Sequence, residues 1–167
     1  MVEHCADNAG VSGSNPLPPI NCNKMNTKQK GDIGVAKVLS ALLSKGFSVC
    51  LPWGDSTPYD LIIDAGKLYR IQIKLTSKRR NGAIVVKTGS VTTKKGKPVI
   101  RSYGQDPVDY IIAYDYIDHD FYVLPKEVWS NIKGGQIFLR ILPSKNKQKK
   151  NINDAAQFKN AWHLIKS

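Results

Sequence analysis

Asp60, Gln72 and Lys74 are the side chains whose types and spacing most need an explanation. They fall on two short segments, Tyr59–Asp64 and Leu68–Leu75, joined by Ala65, Gly66 and Lys67. Both segments have the β-branched and aromatic content of strands, and the joining residues read as a hairpin turn. Side chains alternate faces along a strand. Tyr69, Ile71, Ile73 and Leu75 therefore share an apolar face, while Arg70, Gln72 and Lys74 share the other. Three polar groups side by side on the second face of an interior strand are costly unless something uses them. The short hairpin brings Asp60, near the start of the first strand, close to Gln72. One acid, one amide and one amine would then stand together, a set able to gather around a cation. On residue types alone another reading stays open, in which Asp60 and Lys74 form a surface salt bridge worth little.

The elements that must position this set are legible as patterns. From Thr27 onward, Ile33, Val35, Ala36, Val38, Leu39, Leu42 and Leu43 recur at helical spacing, and Gly46 supplies a stop. Phe47–Leu51 reads as a first short strand, and Pro52–Asp55 as a turn before the hairpin. Beyond it, strands are expected at Ala83–Lys87, Val108–Tyr114, His119–Leu124 and Gln136–Leu142. A short helix is expected at Lys126–Ile132 and a closing helix at Ala155–Ile165. Trp129 and Trp162 fit core positions, and His119 and His163 have no partner spacing for catalysis. Cys5, Cys22 and Cys50 form no C-x-x-C pair, which argues against a disulfide framework or a zinc module. Cys50 is expected to be a buried thiol in a reducing cytoplasm.

Residues 1–24 differ from the rest. Pro16, Pro18 and Pro19 with Gly10, Ser12, Gly13, Ser14 and Asn15 give no strand or helix period, so this segment reads as a disordered extension and 25–167 as one domain. Gly13-Ser14-Asn15-Pro16 is what one frame of a common tRNA T-arm would encode, which makes Met25 a candidate start.

The central block resembles a known family. Pro58-Tyr59-Asp60, followed after a turn by Gln72-Ile73-Lys74, is similar to the PD-(D/E)XK signature, with one residue inserted between Pro and Asp and with Gln in the Glu position. The stretch from Lys30-Gly31-Asp32-Ile33-Gly34 to Lys74 resembles the small PD-(D/E)XK endonucleases associated with group I introns, which tolerate that Gln. The likeness continues through Val108-Asp109-Tyr110-Ile111, Phe121–Pro125, Phe138–Ile141 and Ser144-Lys145-Asn146, and so covers roughly residues 28–160.

The resemblance implies a restriction-endonuclease-like α/β fold, with one central mixed sheet flanked by helices, and Mg²⁺-dependent hydrolysis of double-stranded DNA of a homing, site-specific kind. A hard divalent cation takes oxygen ligands: the Asp60 carboxylate, the Gln72 amide oxygen and the Ile73 carbonyl. The ion would bind the scissile phosphate and acidify a water, and Lys74 would orient that water or offset charge on the phosphate. Arg70 would support this face. One site cuts one strand, so a double-strand cut implies a dimer or tetramer of the chain. A junction-resolving or repair nuclease on the same fold, and a DNA-binding module without cleavage, are the competing readings. Many relatives offer a Glu after the Gly-Asp-x-Gly segment; here that position is Val35, and Asp32, one turn earlier, is expected either to cap the helix or to help through water.

Charge fits a polyanionic partner. Lys and Arg number 25 against 13 for Asp and Glu, a formal charge of +12. Lys78, Arg79 and Arg80 follow the catalytic strand. Lys87, Lys94, Lys95, Lys97 and Arg101 lie on or around the next hairpin-like stretch, and Lys145, Lys147, Lys149 and Lys150 near the C-terminus. Such groups position a duplex by its phosphates, while Thr88, Thr92, Thr93, Arg101 and Gln105 are candidates for reading bases. No apolar run is long enough to span a membrane, and the first residues lack the apolar core of a signal peptide, so a cytoplasmic protein is expected.

Overall fold

The computed structural model describes residues 25–54, 56–94, 96–103, 106–143 and 152–165. The expected extension 1–24 lies outside the described residues, as do Lys95, Gln105, Lys145, Lys147, Lys149 and Lys150.

Helix α1 spans Thr27–Ser44. Asn26 caps it: the Asn26 side chain accepts from the Gln29 N–H, and the Gln29 side chain accepts from the Asn26 N–H. Asp32 therefore does not cap the helix. It lies in the second turn and faces solvent, because the reciprocal Asn26–Gln29 pair has already satisfied the helix start. The helix stops where expected, at Gly46, whose φ of +82° favours a residue without a side chain.

The strands follow in chain order: β1 (Ser48–Cys50), β2 (Leu61–Asp64), β3 (Leu68–Thr76), β4 (Arg79–Arg80), β5 (Ala83–Lys87), β6 (Gly89–Lys94), β7 (Lys97–Ser102), β8 (Tyr110–Asp115), β9 (Phe121–Pro125), β10 (Gln136–Arg140) and β11 (Asn153–Asp154), with helix α2 (Lys126–Trp129) between β9 and β10. The main sheet has the order β1-β2-β3-β8-β9. Its β3–β8 pair is parallel and the other pairs are antiparallel, so the sheet is mixed. Central parallel strands are covered on both faces, and β8 is buried along its whole length. Val38 and Leu42 of α1 pack with Ile71, Ile73 and Ile112 on one face. Ile111 and Ala113 point the other way, into a second apolar layer with Ile84, Val86, Trp129, Ile137 and Leu139. Each fully buried Ile or Leu here contributes roughly 1.5–3 kcal/mol. The Trp129 indole N–H, buried with its ring, donates to the Leu124 carbonyl at 3.1 Å.

Three expectations are corrected. The segment beginning at Gln136 does not extend the main sheet: β10 pairs with β5 in a second sheet of order β11-β10-β5-β4. The outer edge of β9 is already taken, since Val123 N donates to Phe158 O at 3.0 Å and Asn160 N to Phe121 O at 2.6 Å. The same pairing explains why Ala155–Ile165 is not one helix. Its backbone is drawn to β9, Asn160 adopts φ +49°, and only two short 3-10 turns remain, Ala155–Gln157 and Trp162–Leu164. Cys50 is exposed rather than buried, because β1 is a three-residue edge strand whose alternate side chains face solvent.

Between β5 and β8 the chain leaves both sheets as a two-stranded ribbon, β6–β7. Its root is closed by the Tyr103 N–H donating to Thr88 O at 3.1 Å.

Candidate active site

The site is built on the face of β3 that looks away from α1. Gly34 of α1 approaches β3 so closely that a Cβ there would lie 3.3 Å from Leu75 Cβ. Ile71, Ile73 and Leu75 are thereby committed to the helix side, and period-two alternation sends Arg70, Gln72 and Lys74 to the other. Asp60 precedes β2 by one residue. Its N–H donates to Ile71 O at 2.8 Å, which carries the ladder one rung past the Leu61–Ile71 pair and sets Asp60 opposite Gln72.

Acid, amide and backbone meet at one oxygen. Asp60 Oδ2 accepts from the Ile73 N–H at 2.5 Å and from Gln72 Nε2. Gln72 is 7% exposed, so its amide is a buried polar group that this contact satisfies. Asp60 Oδ1 accepts no hydrogen bond from a described residue and is left for another partner. Burial pushes the Asp60 carboxyl above the ordinary carboxylate range; the Ile73 N–H, the Lys74 charge and the Gln72 amide pull the other way without cancelling it.

Lys74 lies on the same face, half-buried. Its Nζ donates to the Tyr103 hydroxyl at 2.9 Å and stands 4.8 Å from the centre of that ring. The ammonium is thus held at the ribbon root instead of forming a surface pair with Asp60. Nothing in sequence spacing linked Lys74 to Tyr103, since the whole ribbon separates them. Arg70 sits at the solvent end of the same row, its backbone clamped to Asp109 by Arg70 N to Asp109 Oδ2 (2.8 Å) and Asp109 N to Arg70 O (2.9 Å). At the opposite end, buried Thr76 donates to Val85 O at 2.8 Å and ties β3 to β5. Val35 packs on the helix side of the sheet and brings no carboxylate.

The expected ligands are all oxygens, of Asp60, Gln72 and the Ile73 carbonyl, although the Gln72 amide as placed turns its nitrogen to Asp60 and, at 3.4 Å, to the Ile73 carbonyl. That set suits a hard cation such as Mg²⁺ and not a soft one. Among the described residues no three of His, Cys, Asp or Glu gather to hold a metal.

The basic residues separate into two kinds. Lys78 and Arg80 are exposed, as are Lys87 and Lys97. In the ribbon's backbone register Lys94 stands opposite Lys97, next to the turn that joins β6 to β7. Arg101 lies on β7 opposite Ser90. Arg79 turns inward. Its guanidinium binds Asp115, whose side chain is wholly buried, and Asp118 at 3.0 Å. Arg79 is thus a structural ion-pair residue, set apart from the exposed lysines and Arg80 around it.

A mixed sheet with an acid before one strand and Gln-x-Lys on the next is the frame of a restriction-endonuclease-like nuclease. The chain belongs to the PD-(D/E)XK endonuclease family, whose profile matches residues 25–161. Among solved structures it is similar to a bacterial homing endonuclease, I-Ssp6803I, with a TM-score of 0.70 and 29% sequence identity over 84% of this chain and 93% of that one. No curated protein matches the chain by sequence. Among the described residues no helix is long and apolar enough to cross a membrane.

Proposed function

We propose that the chain is a divalent-metal-dependent, site-specific endonuclease of double-stranded DNA, of homing type, with Asp60, Gln72 and Lys74 as its catalytic set. The observation that carries this reading is the meeting of the Asp60 carboxylate with the buried Gln72 amide, with the Lys74 ammonium on the same strand face. Asp60, Gln72 and the Ile73 carbonyl would hold the ion, Mg²⁺ by the hardness of the donors. When bound, that ion neutralises phosphate charge and acidifies a water. Lys74, with donors left over after Tyr103 has taken one, orients the attacking water or meets the charge growing on the phosphate. The water oxygen forms a bond to phosphorus, one P–O ester bond breaks, and the departing oxygen takes a proton. Exposed Lys78, Arg80 and Lys97, with Lys94 and Arg101 on the ribbon strands, place the duplex by its phosphates. One site per chain acts on one strand, so two chains acting together would cut both.

A second reading, a DNA-binding module that no longer cuts, is favoured by the uncharged Gln72 in the second acidic position and by Val35 where relatives offer a Glu. Nicking of supercoiled plasmid and of four-way junctions, with Mg²⁺ and then with EDTA, separates the readings. Plasmid cutting that needs Mg²⁺ and is lost in Lys74→Ala, with binding retained, supports the endonuclease. Cutting confined to junctions moves the substrate to branched DNA. Binding with no metal-dependent cutting under any condition supports the module.

A further inference from the structure

Tyr103 is placed where two parts of the molecule meet. Its backbone closes the root of the β6–β7 ribbon through Thr88, and its ring is 8% exposed in the apolar layer with Ile84, Val108 and Ile111. Packing alone needs only the ring, and a phenylalanine would fill the same space. The hydroxyl does something else: it accepts the Lys74 ammonium at 2.9 Å. Lysine is a flexible four-carbon stem ending in a compact charge, so its tip is ill-defined unless held. Here it is held by the hydroxyl.

We propose that Tyr103 is a positioning residue for Lys74, fixing the ammonium by its hydroxyl and tying it to the root of the basic ribbon. The inference rests on the reading of Lys74 as catalytic. Tyr103 contacts no reacting atom; it acts by limiting where the Lys74 tip can go. Because the same residue anchors the ribbon, a ribbon seated on a duplex and an ammonium set for hydrolysis become one mechanical unit. The end of β7 thereby connects phosphate contact outside to amine placement inside.

The test is Tyr103→Phe in the full chain, which keeps the ring and removes the acceptor. The expected single-turnover rate on Mg²⁺-dependent plasmid nicking falls on the order of tenfold, since small misplacements of a catalytic group are costly. Plasmid affinity in EDTA and melting temperature stay close to those of the wild type. A second readout needs no activity: the Lys74 ammonium signal in ¹H–¹⁵N spectra of the protein alone, assigned by its loss in Lys74→Ala, broadens or vanishes in Tyr103→Phe. An unchanged rate and an unchanged ammonium signal overturn the inference, as does a rate loss matched by an equal loss of affinity or stability, which marks simple packing. If Lys74→Ala abolishes nicking while Tyr103→Phe does not slow it, only this inference fails. If Lys74→Ala cuts normally, the catalytic reading fails and takes this one with it.

Discussion

Gln72 donates its amide nitrogen to Asp60 Oδ2 across two neighbouring antiparallel strands, so the proposed ligand pair is preassembled by a hydrogen bond. An amide can play both parts: donor to the carboxylate without a metal, oxygen ligand once turned. A glutamate in its place cannot donate when ionised. Gln72→Glu is therefore expected to bind Mg²⁺ more tightly, because a second charge joins the donor set. The metal-free variant should be less stable, because two carboxylates then face each other. Calorimetric titration with Mg²⁺ and melting in EDTA check both. No gain in affinity would mean that Gln72 is not a ligand.

The raised pKa of Asp60 has a consequence for stability. Burial makes its ionised form harder to keep in the folded metal-free protein than in the unfolded chain. Its stabilising contribution is then full below the unfolded-state pKa and is lost as pH rises through the folded-state value. Above that value the ionised group burdens the fold. Asp60→Asn, which keeps an acceptor for the Ile73 N–H, should melt no lower than the wild type in EDTA at neutral pH, while plasmid nicking is abolished. A clear drop in melting temperature would show that the charge is net stabilising and that burial does not dominate.

Adjacent arginines are expected to behave oppositely. Arg79 partners the fully buried side chain of Asp115, and breaking a buried pair by removing one member costs about 3–5 kcal/mol. Arg79→Ala should therefore lower stability steeply. Arg80 is exposed, so Arg80→Ala should leave the melting temperature nearly unchanged and weaken DNA binding across sequences. The slope of log affinity against log salt should fall by about 0.9 for one lost phosphate contact. Chemical denaturation and salt-dependent binding of the two variants measure this. Equal effects of both would contradict the division.

How much of this was legible in the sequence depends on the range of the interaction. The β2–β3 hairpin was, because alternation along β3 and a tight turn at Gly66 are local and leave one register for Asp60 against Gln72. Helix α1 is readable to its first residue, yet of the two roles open to Asp32 the cap is ruled out, because the Asn26–Gln29 box already closes the helix start. The closing segment kept its apolar residues buried but lost its helix, since the bonds that matter run to β9, about forty residues away in the chain for the Asn160–Phe121 pair. Arg79 could not be told from Arg80 by composition; only the fold brings Asp115 beneath one of them. Tyr103 was invisible for the same reason, its partner lying on the far side of a ribbon.

Gly34 shows how a residue on the wrong side of the sheet reaches the site. A Cβ there would stand 3.3 Å from Leu75 Cβ, 3.5 Å from Ile73 Cγ2 and 3.5 Å from the Leu75 backbone nitrogen. Ile73 and Leu75 alternate with Gln72 and Lys74 along one strand, so anything that pushes β3 from behind shifts the polar row in front. A single methyl gains up to about 1 kcal/mol of helix propensity against that tight contact, so Gly34→Ala should be nearly neutral. Gly34→Val adds branches with no room and a weaker helix former, and overpacking of this kind costs roughly 1–3 kcal/mol. The loss in nicking rate should exceed what the melting shift alone accounts for at the assay temperature, because the strand that moves carries the amide and the amine. Melting curves paired with single-turnover rates for both variants measure this. If Gly34→Val melts like the wild type and cuts like it, α1 does not press on β3 in solution as closely as Gly34 and Leu75 require.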